Sequence, residues 1–387
     1  MPNTLGAYNP VFYANETLIH LRKVLGMAAR VHRGYELERN SFALGDTITI
    51  RKPSTFTAQN APSSAQDLDT KSVNITLDQW KEVKFEATDK ERAYTGERLI
   101  QEHIEPAAYA LADVVDTALA VLAKDIPWYA DYATATDHTI ITQARKILFD
   151  NAVPMNDGRL HFMVDSTLEQ GFLNSTVFHS AQVAGANAEA ALMRGNLGTR
   201  FGVEVFSNQN VQTITPGTAV RAAGDGIGAV NGAHLKGATS LAVNGFTGAE
   251  TLVRGDNFVI AGNTQRYAVA ADATMSTGAA TLTITPGLAA ALAGGEVVTF
   301  YAAGDAPSDT VHSLNLMFHR NAFALALAPL PDQLPGIDAF TATDPVSGLS
   351  VRARRWADGS NSKLIMALDI LYGVRTLDNN LACRAET

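Results

Sequence analysis

Residues 213–302 constrain this chain more than any other stretch. Fourteen of its 30 glycines fall in these 90 positions, among many Ala, Thr and Val, and charge there is near neutral, 4 basic against 5 acidic. Short alternating runs (SLAVNG, NFVIAG, RYAVAA, ATLTIT, EVVTFY) are punctuated by Gly and Asn turns. Alternation with period two, bounded by turn residues, marks strands, and five such runs are enough for a small barrel or sandwich. The inward positions expected from the alternation are Leu241, Val243, Phe258, Ile260, Tyr267, Val269, Leu282, Ile284, Val298 and Phe300. The apolar run Leu288–Leu292 is too short for a helix of normal length.

On either side the patterning differs. Val11, Ala14, Leu18, Leu21, Leu25 and Ala28 recur at helical spacing, which predicts an amphipathic helix over 9–31 whose apolar face needs a partner. A β region follows over 41–88, with Ile48 and Ile50 alternating in DTITIRK and Val73, Ile75, Leu77, Val83 and Phe85 in KSVNITLDQWKEVKFEAT. About 18 mostly polar residues separate the two runs, so two long antiparallel strands with a protruding tip are expected. Such a hairpin has little core of its own and is expected to be held from outside the monomer, with 53–70 ordered only against a neighbour. Residues 89–124 predict a long helix, bent at Pro106, of roughly 50 Å. Residues 139–212 read as α/β: a helix over Asp137–Ala152, a strand Leu160–Val164, a short helix Ser166–Asn174, and a strand Val203–Phe206 whose preceding Gly202 is expected at the core. After 303, HSLNLMFHRNAFALALAPLP, GLSVRARR and KLIMALDILY predict strands of a mixed sheet. The β module therefore reads as an insertion into one α/β domain.

The 387 residues carry 30 basic and 39 acidic side chains, net −9. That balance argues against a dedicated nucleic-acid binder. No run approaches the ~20 apolar residues of a membrane span, and MPNTLGAYNP lacks the features of a signal peptide. The single cysteine, Cys383, leaves no internal disulfide and no cysteine-built metal site, so folding in a reducing cytoplasm is expected.

No catalytic constellation emerges, and no catalytic, cofactor-binding or metal-binding residue is assigned. The nine histidines form no HExxH, and Glu16 with His20 is only two ligands on one helix face. GDGIGAVNG (Gly224–Gly232) lacks the strand and helix that must flank a dinucleotide loop and reads as a surface loop. GxxxxGK[ST] and GxSxG are absent. Arg254-Gly255-Asp256 reads as a turn leading into the strand at Asn257. The triplets at Asn15 and Asn174 carry no meaning without secretion. VRARRWADG (Val351–Gly359) is the one dense basic cluster: it could meet phosphates nonspecifically, or its arginines could pair with acidic groups of a neighbour.

The order of elements resembles the tailed-phage major capsid proteins of the HK97 fold, closest to P22-type coat proteins with an inserted domain. The resemblance rests on GNLGTRFGVEVFSNQNV (Gly195–Val211), NLMFHRNAFALALAPLP (Asn315–Pro331), DPVSGLSVRARRWADG (Asp344–Gly359) and LDILYGVRTLDNNLACR (Leu368–Arg384), in particular the run Leu371-Tyr372-Gly373-Val374. It covers essentially the whole chain and is weakest over 213–302. It implies an α+β, HK97-like fold divided as follows: N-arm 1–35; E-loop hairpin and adjoining P-domain strand 36–88; spine helix and P-domain 89–138; A-domain 139–212; inserted β domain 213–302; and A- and P-domain mixed sheets 303–387. It also implies hexamers and pentamers closing into an icosahedral shell around double-stranded DNA, assembled in a bacterial cytoplasm. A separate scaffolding protein, a portal protein and decoration proteins are the implied partners, with no membrane and no cofactor. Lys52 and Lys71 flank the loop, but no matching Glu identifies a cross-link of the kind some relatives form. An encapsulin-like compartment shell and a small-oligomer enzyme are the competing readings.

Overall fold

In the computed structural model the described residues are 26–33, 47–52, 71–88, 98–130, 138–180, 197–220, 227–246, 249–301, 311–332, 337–343 and 350–386, with Ala14, Asn15, Thr17, Ala58, Asn60, Ala61, Ala65, Met193 and Gly195. In chain order the first elements are β1 (Thr47–Lys52), β2 (Lys71–Thr76), β3 (Gln79–Thr88), α1 (Arg98–Val121), β4 (Tyr129–Ala130), α2 (Thr139–Asp150), β5 (Leu160–Val164), α3 (Ser166–Asn174) and α4 (Thr176–His179). Next come β6 (Thr199–Arg200), β7 (Val203–Ser207), β8 (Thr213–Ile214), β9 (Ile227–Val230), β10 (Ser240–Asn244), β11 (Thr251–Leu252), β12 (Asn257–Ile260), β13 (Arg266–Val269), β14 (Ala273–Thr274), β15 (Ala280–Thr285) and β16 (Val297–Phe300). The last are β17 (His312–His319), β18 (Phe323–Ala328), β19 (Asp338–Thr343), β20 (Ser350–Asp358), β21 (Lys363–Thr376) and β22 (Ala382–Glu386). Contacts gather the chain into two compact units, Met1–Asp116 with Phe323–Leu377, and Thr117–Ala322 with Asp378–Thr387.

The first unit is organised by β21. This 14-residue strand pairs β20 over 363–369, β3 over 363–372 and β18 over 371–376. All pairings between the strands of this sheet, including β19 with β20, are antiparallel, and outside the strands His32 makes one parallel bridge to Ala324 of β18. The mixed sheet expected for GLSVRARR and KLIMALDILY is therefore corrected: these two runs are successive strands joined by a short turn at 359–362, which allows only antiparallel pairing. The alternation of KSVNITLDQWKEVKFEAT breaks at Leu77-Asp78, so that β2 pairs β1 and β3 pairs β21.

The expected long helix is α1, 24 residues and so about 36 Å, continued by a 3-10 turn over Leu122–Asp125. It runs on through Pro106; positions 89–97 lie outside the described residues. The segment His103–Asp125 is long and apolar enough to cross a membrane by composition, but 56% of it is buried inside the protein, as a core helix is. The N-terminal helix expected over 9–31 is mostly outside the described residues. Its end is corrected: Gly26–Arg30 form turns, because the buried carboxylate of Asp116 on α1 accepts the backbone N–H groups of Gly26 (2.6 Å) and Ala28 (2.8 Å).

The second unit holds a mixed sheet in the order β4-β22-β17-β5-β7-β6, with β8 on β17. β4 with β22 and β5 with β7 are parallel, the others antiparallel. α2 buries Ile140, Ile141, Ala144 and Leu148 in one core with Phe162, Phe172 and Phe178. Asp165 caps α3 by accepting the Leu168 N–H at 2.9 Å, which satisfies one of the helix's unpaired donors. Gly202 is not in this core. It is exposed, at φ +74 beside Phe201 at φ +51, in the two-residue turn between β6 and β7. Left-handed turn geometry suits Gly, so a side chain there costs a local strain of about 1 kcal/mol rather than the core.

The same unit contains a closed six-stranded antiparallel barrel, β10-β15-β13-β12-β16-β9. All ten residues expected inward from the alternation lie in one buried cluster, joined by Leu288 and Leu292. One expected loop is a strand instead: Ile227–Val230, inside GDGIGAVNG, is β9. Its glycine is a packing residue, for a Cβ on Gly228 would overlap the Phe246 ring that fills that place in the barrel wall.

Candidate functional site

The hairpin base is the first feature with a structural task. Ile48 and Ile50 of β1, Ile75 of β2 and Leu77 are buried against Ala324, Ala326 and Ala328 of β18 and against Leu377. The alternation FALALA places the small side chains together, giving a shallow surface into which the branched Ile side chains fit. Gly373 of β21 lies directly beneath: a Cβ there would overlap the backbone oxygen of Thr76 and come within 3.2 Å of Ile75 Cγ2. The expectation that the hairpin is held only from outside the monomer is thus corrected at its base, because β18 and β21 supply the core it lacks. The loop 53–70 lies almost wholly outside the described residues.

The basic cluster of β20 is neutralised within its own sheet. Arg352 donates from Nε (3.0 Å) and a terminal nitrogen (2.6 Å) to the two oxygens of Asp369, which is fully buried. Arg354 reaches Asp369 (3.2 Å) and Glu82 of β3, and Arg355 reaches Asp338 of β19 (2.8 Å). Asp369 also accepts the Trp80 indole N–H at 3.0 Å. The acidic groups expected of a neighbour are those of neighbouring strands in the same chain, so these three arginines are not a free cationic patch for phosphate.

In the second unit the turn Arg254-Gly255-Asp256 does lead into β12, as expected, but each of its residues also ties the barrel down. Asp256 is fully buried and accepts the Val253 N–H (2.7 Å), the Gly217 N–H (3.2 Å) and the Tyr301 hydroxyl (3.2 Å). Gly217 precedes the first barrel strand and Tyr301 follows the last, so one carboxylate clasps the two chain crossings. Arg254 forms a two-pronged pair with Asp125 (2.9 and 2.8 Å), and both terminal nitrogens of the buried Arg384 donate to the Gly255 carbonyl at 2.9 Å. β8 and β17, either side of the barrel in sequence, also pair, His312 opposite Ile214.

Burial pushes the Asp256 carboxyl up to about 6, against the hydrogen bonds from Val253, Gly217 and Tyr301 and the charge of Arg384, which all act downward. Its folded pKa is above the unfolded value, so the folded state takes up the proton first and gains stability as pH falls through about 6 toward 4. In melts across that window, the wild-type protein is expected to gain roughly 1 kcal/mol more than Asp256→Asn between pH 7 and pH 5. Equal slopes for the two proteins would contradict it.

Among the described residues no group of three or more His, Cys, Asp or Glu could hold a metal ion. Glu16 and His20 lie outside them. His161 pairs with Glu204 (2.8 Å) and His319 with Asp157 (2.7 Å).

No protein-family model matches the chain, and no curated protein does. Solved structures do. A chain from Mycobacterium phage Che8 superposes with a TM-score of 0.53 at 14% identity, over 93% of this chain and 90% of that one. The capsid of Ralstonia phage GP4 (TM-score 0.46, 11% identity, 94% and 88% covered) and the capsid of Cyanophage P-SCSP1u (0.45, 10%, 88% and 83%) are also similar. The likeness to the Che8 chain, at nearly full length on both sides, shows a shared fold.

Proposed function

We propose that this chain is the major capsid protein of a tailed bacteriophage, with the HK97-like fold that its sequence resembles. The observation that carries the reading is the fold shared with the Che8 phage chain along nearly the whole of both chains. Its copies assemble as hexamers and pentamers into an icosahedral shell enclosing double-stranded DNA, and its role is structural rather than enzymatic. A separate scaffolding protein and a portal protein act with it in a bacterial host, and decoration proteins can bind outside. Residues 213–302 form a domain inserted in the coat core; the pairing of β8 with β17 supports this, because it brings the two chain crossings side by side. A net charge of −9 fits a shell filled by a motor rather than by attraction to DNA.

The test is electron microscopy and sedimentation of the purified chain, alone and co-expressed with a candidate scaffolding protein. Closed particles are expected. A defined small oligomer under both conditions would overturn the reading, and an enzyme would behave in that way. Particles that hold protein cargo and never DNA would favour a compartment shell instead.

A further inference from the structure

Arg200 is a buried cation without an anion. It lies on β6, the strand that ends the second unit's mixed sheet, and is 8% exposed. Its terminal nitrogens donate only to carbonyls, Thr199 O at 3.1 Å and Phe178 O at 3.4 Å, while Nε is buried with no partner. The guanidinium lies over the Phe178 ring, 5.4 Å from its centre. Among the described residues no carboxylate stands within 4.0 Å of it. Arg352, equally buried, has Asp369 in a two-pronged pair. Carbonyl dipoles do not neutralise a charge, and buried arginines are almost always paired. Desolvation accordingly lowers the pKa of Arg200.

Two further features share this rim. Among the described residues β6 pairs with β7 alone and is the last strand of its sheet. The next residue, Phe201, is 43% exposed although large and apolar; it stacks on His138, and its carbonyl accepts from Arg145. A terminal strand of the sheet, an exposed aromatic ring and a guanidinium without an anion among the described residues lie within three residues of one another.

We infer that this rim receives a second copy of this chain, with a carboxylate of that copy pairing with Arg200. The occupant follows from charge: each copy carries 39 acidic against 30 basic side chains, so a carboxylate is the commoner charged group a neighbour can offer. DNA phosphate would meet the same guanidinium, and a normal particle yield from the variant below would favour it over a second copy. Folding has already desolvated Arg200, so the arriving carboxylate gains the attraction at reduced cost, and charge pairs of this kind set partner and register. The inference rests on the capsid reading, in which copies pack side by side.

The test is Arg200→Met, which keeps the aliphatic bulk over Phe178 and removes the charge. If the charge is uncompensated in the single subunit, the melting temperature of the unassembled variant stays the same or rises, while closed particles fall at least tenfold relative to wild type. A drop of several degrees, failure to fold, or normal particle yield would each overturn the inference, since the arginine would then serve its own subunit, a phosphate or nothing. A second measurement is independent of assembly. Sodium acetate, compared with sodium chloride at equal ionic strength, is expected to raise the melting temperature of the dilute wild-type subunit by about 2 °C and to leave Arg200→Met unmoved. Equal response of the two would overturn the inference. Absence of particles from the wild-type chain, with or without scaffolding protein, would instead count against the capsid reading.

Discussion

Replacing Asp369 by alanine is expected to destabilise the first unit by about 3–5 kcal/mol, the usual cost of removing one partner of a buried ion pair. Asp369 is fully buried and meets Arg352, Arg354 and Trp80 at once. Without it the Arg352 guanidinium keeps only the Pro331 carbonyl, at 2.9 Å, and Trp80 loses its acceptor. Calorimetry would show the melting of this unit lowered by roughly 10 °C, with the barrel-bearing unit melting as before. Asp369→Leu combined with Arg352→Met is expected to recover much of the loss, because a well-packed apolar pair avoids the desolvation cost altogether. A single-variant loss below about 1 kcal/mol would mean that Glu82 and water replace the carboxylate.

The second large effect concerns Gly373, where a side chain would displace the hairpin rather than the sheet. A Cβ at this position overlaps the Thr76 carbonyl, which is backbone and cannot rotate away. Gly373→Val is therefore expected to lift β2 from β21 and to free Ile48, Ile50 and Ile75 from the alanines of β18, at a cost of about 2–3 kcal/mol. Hydrogen exchange at 71–76 would accelerate at least tenfold, while the amides of β20 and β22 keep their protection. In the capsid reading such a subunit folds but forms no closed particles. Unchanged exchange at 71–76 would show that the close approach is relieved without moving the hairpin.

Periodicity carried the local elements: α2, β5 and α3 fall within a residue or two of their expected spans, and the ten inward barrel positions all reach one core. What it could not carry was pairing at long range. The arginines of β20 read as meeting either phosphates or the acids of an unnamed neighbour, because nothing in the local pattern shows that Glu82 and Asp369 arrive on adjacent strands. The hairpin read as needing an outside support because FALALA is bland as sequence, and its role appears only when branched side chains rest on its alanines. Asp256 was hidden in a turn motif. Its only sequence signal is an acid immediately before a strand, and the donors that give it meaning come from Gly217 and Tyr301, on opposite ends of the barrel segment. Gly228 looked like loop because glycine is rare in strands, and the reason for it is the ring of Phe246.

The central place of β21 also sets the order in which the chain can fold. The barrel draws all its strands from 227–300 and can close as soon as that stretch is made. β3 cannot, since its partner arrives much later; Glu86 and Lys363, hydrogen-bonded to each other, are 277 residues apart. Contacts so distant in sequence form slowly, and until then β3 is an unpaired strand in a growing polypeptide, the kind of edge that recruits other chains. Its composition answers that hazard. Lys81, Glu82, Lys84 and Glu86 interrupt the apolar positions of QWKEVKFEAT, so the strand carries charge along its length while it waits. The lysines and glutamates that later lie beside β21 thus act first as guards, keeping a newborn chain from pairing with its siblings before its own sheet exists.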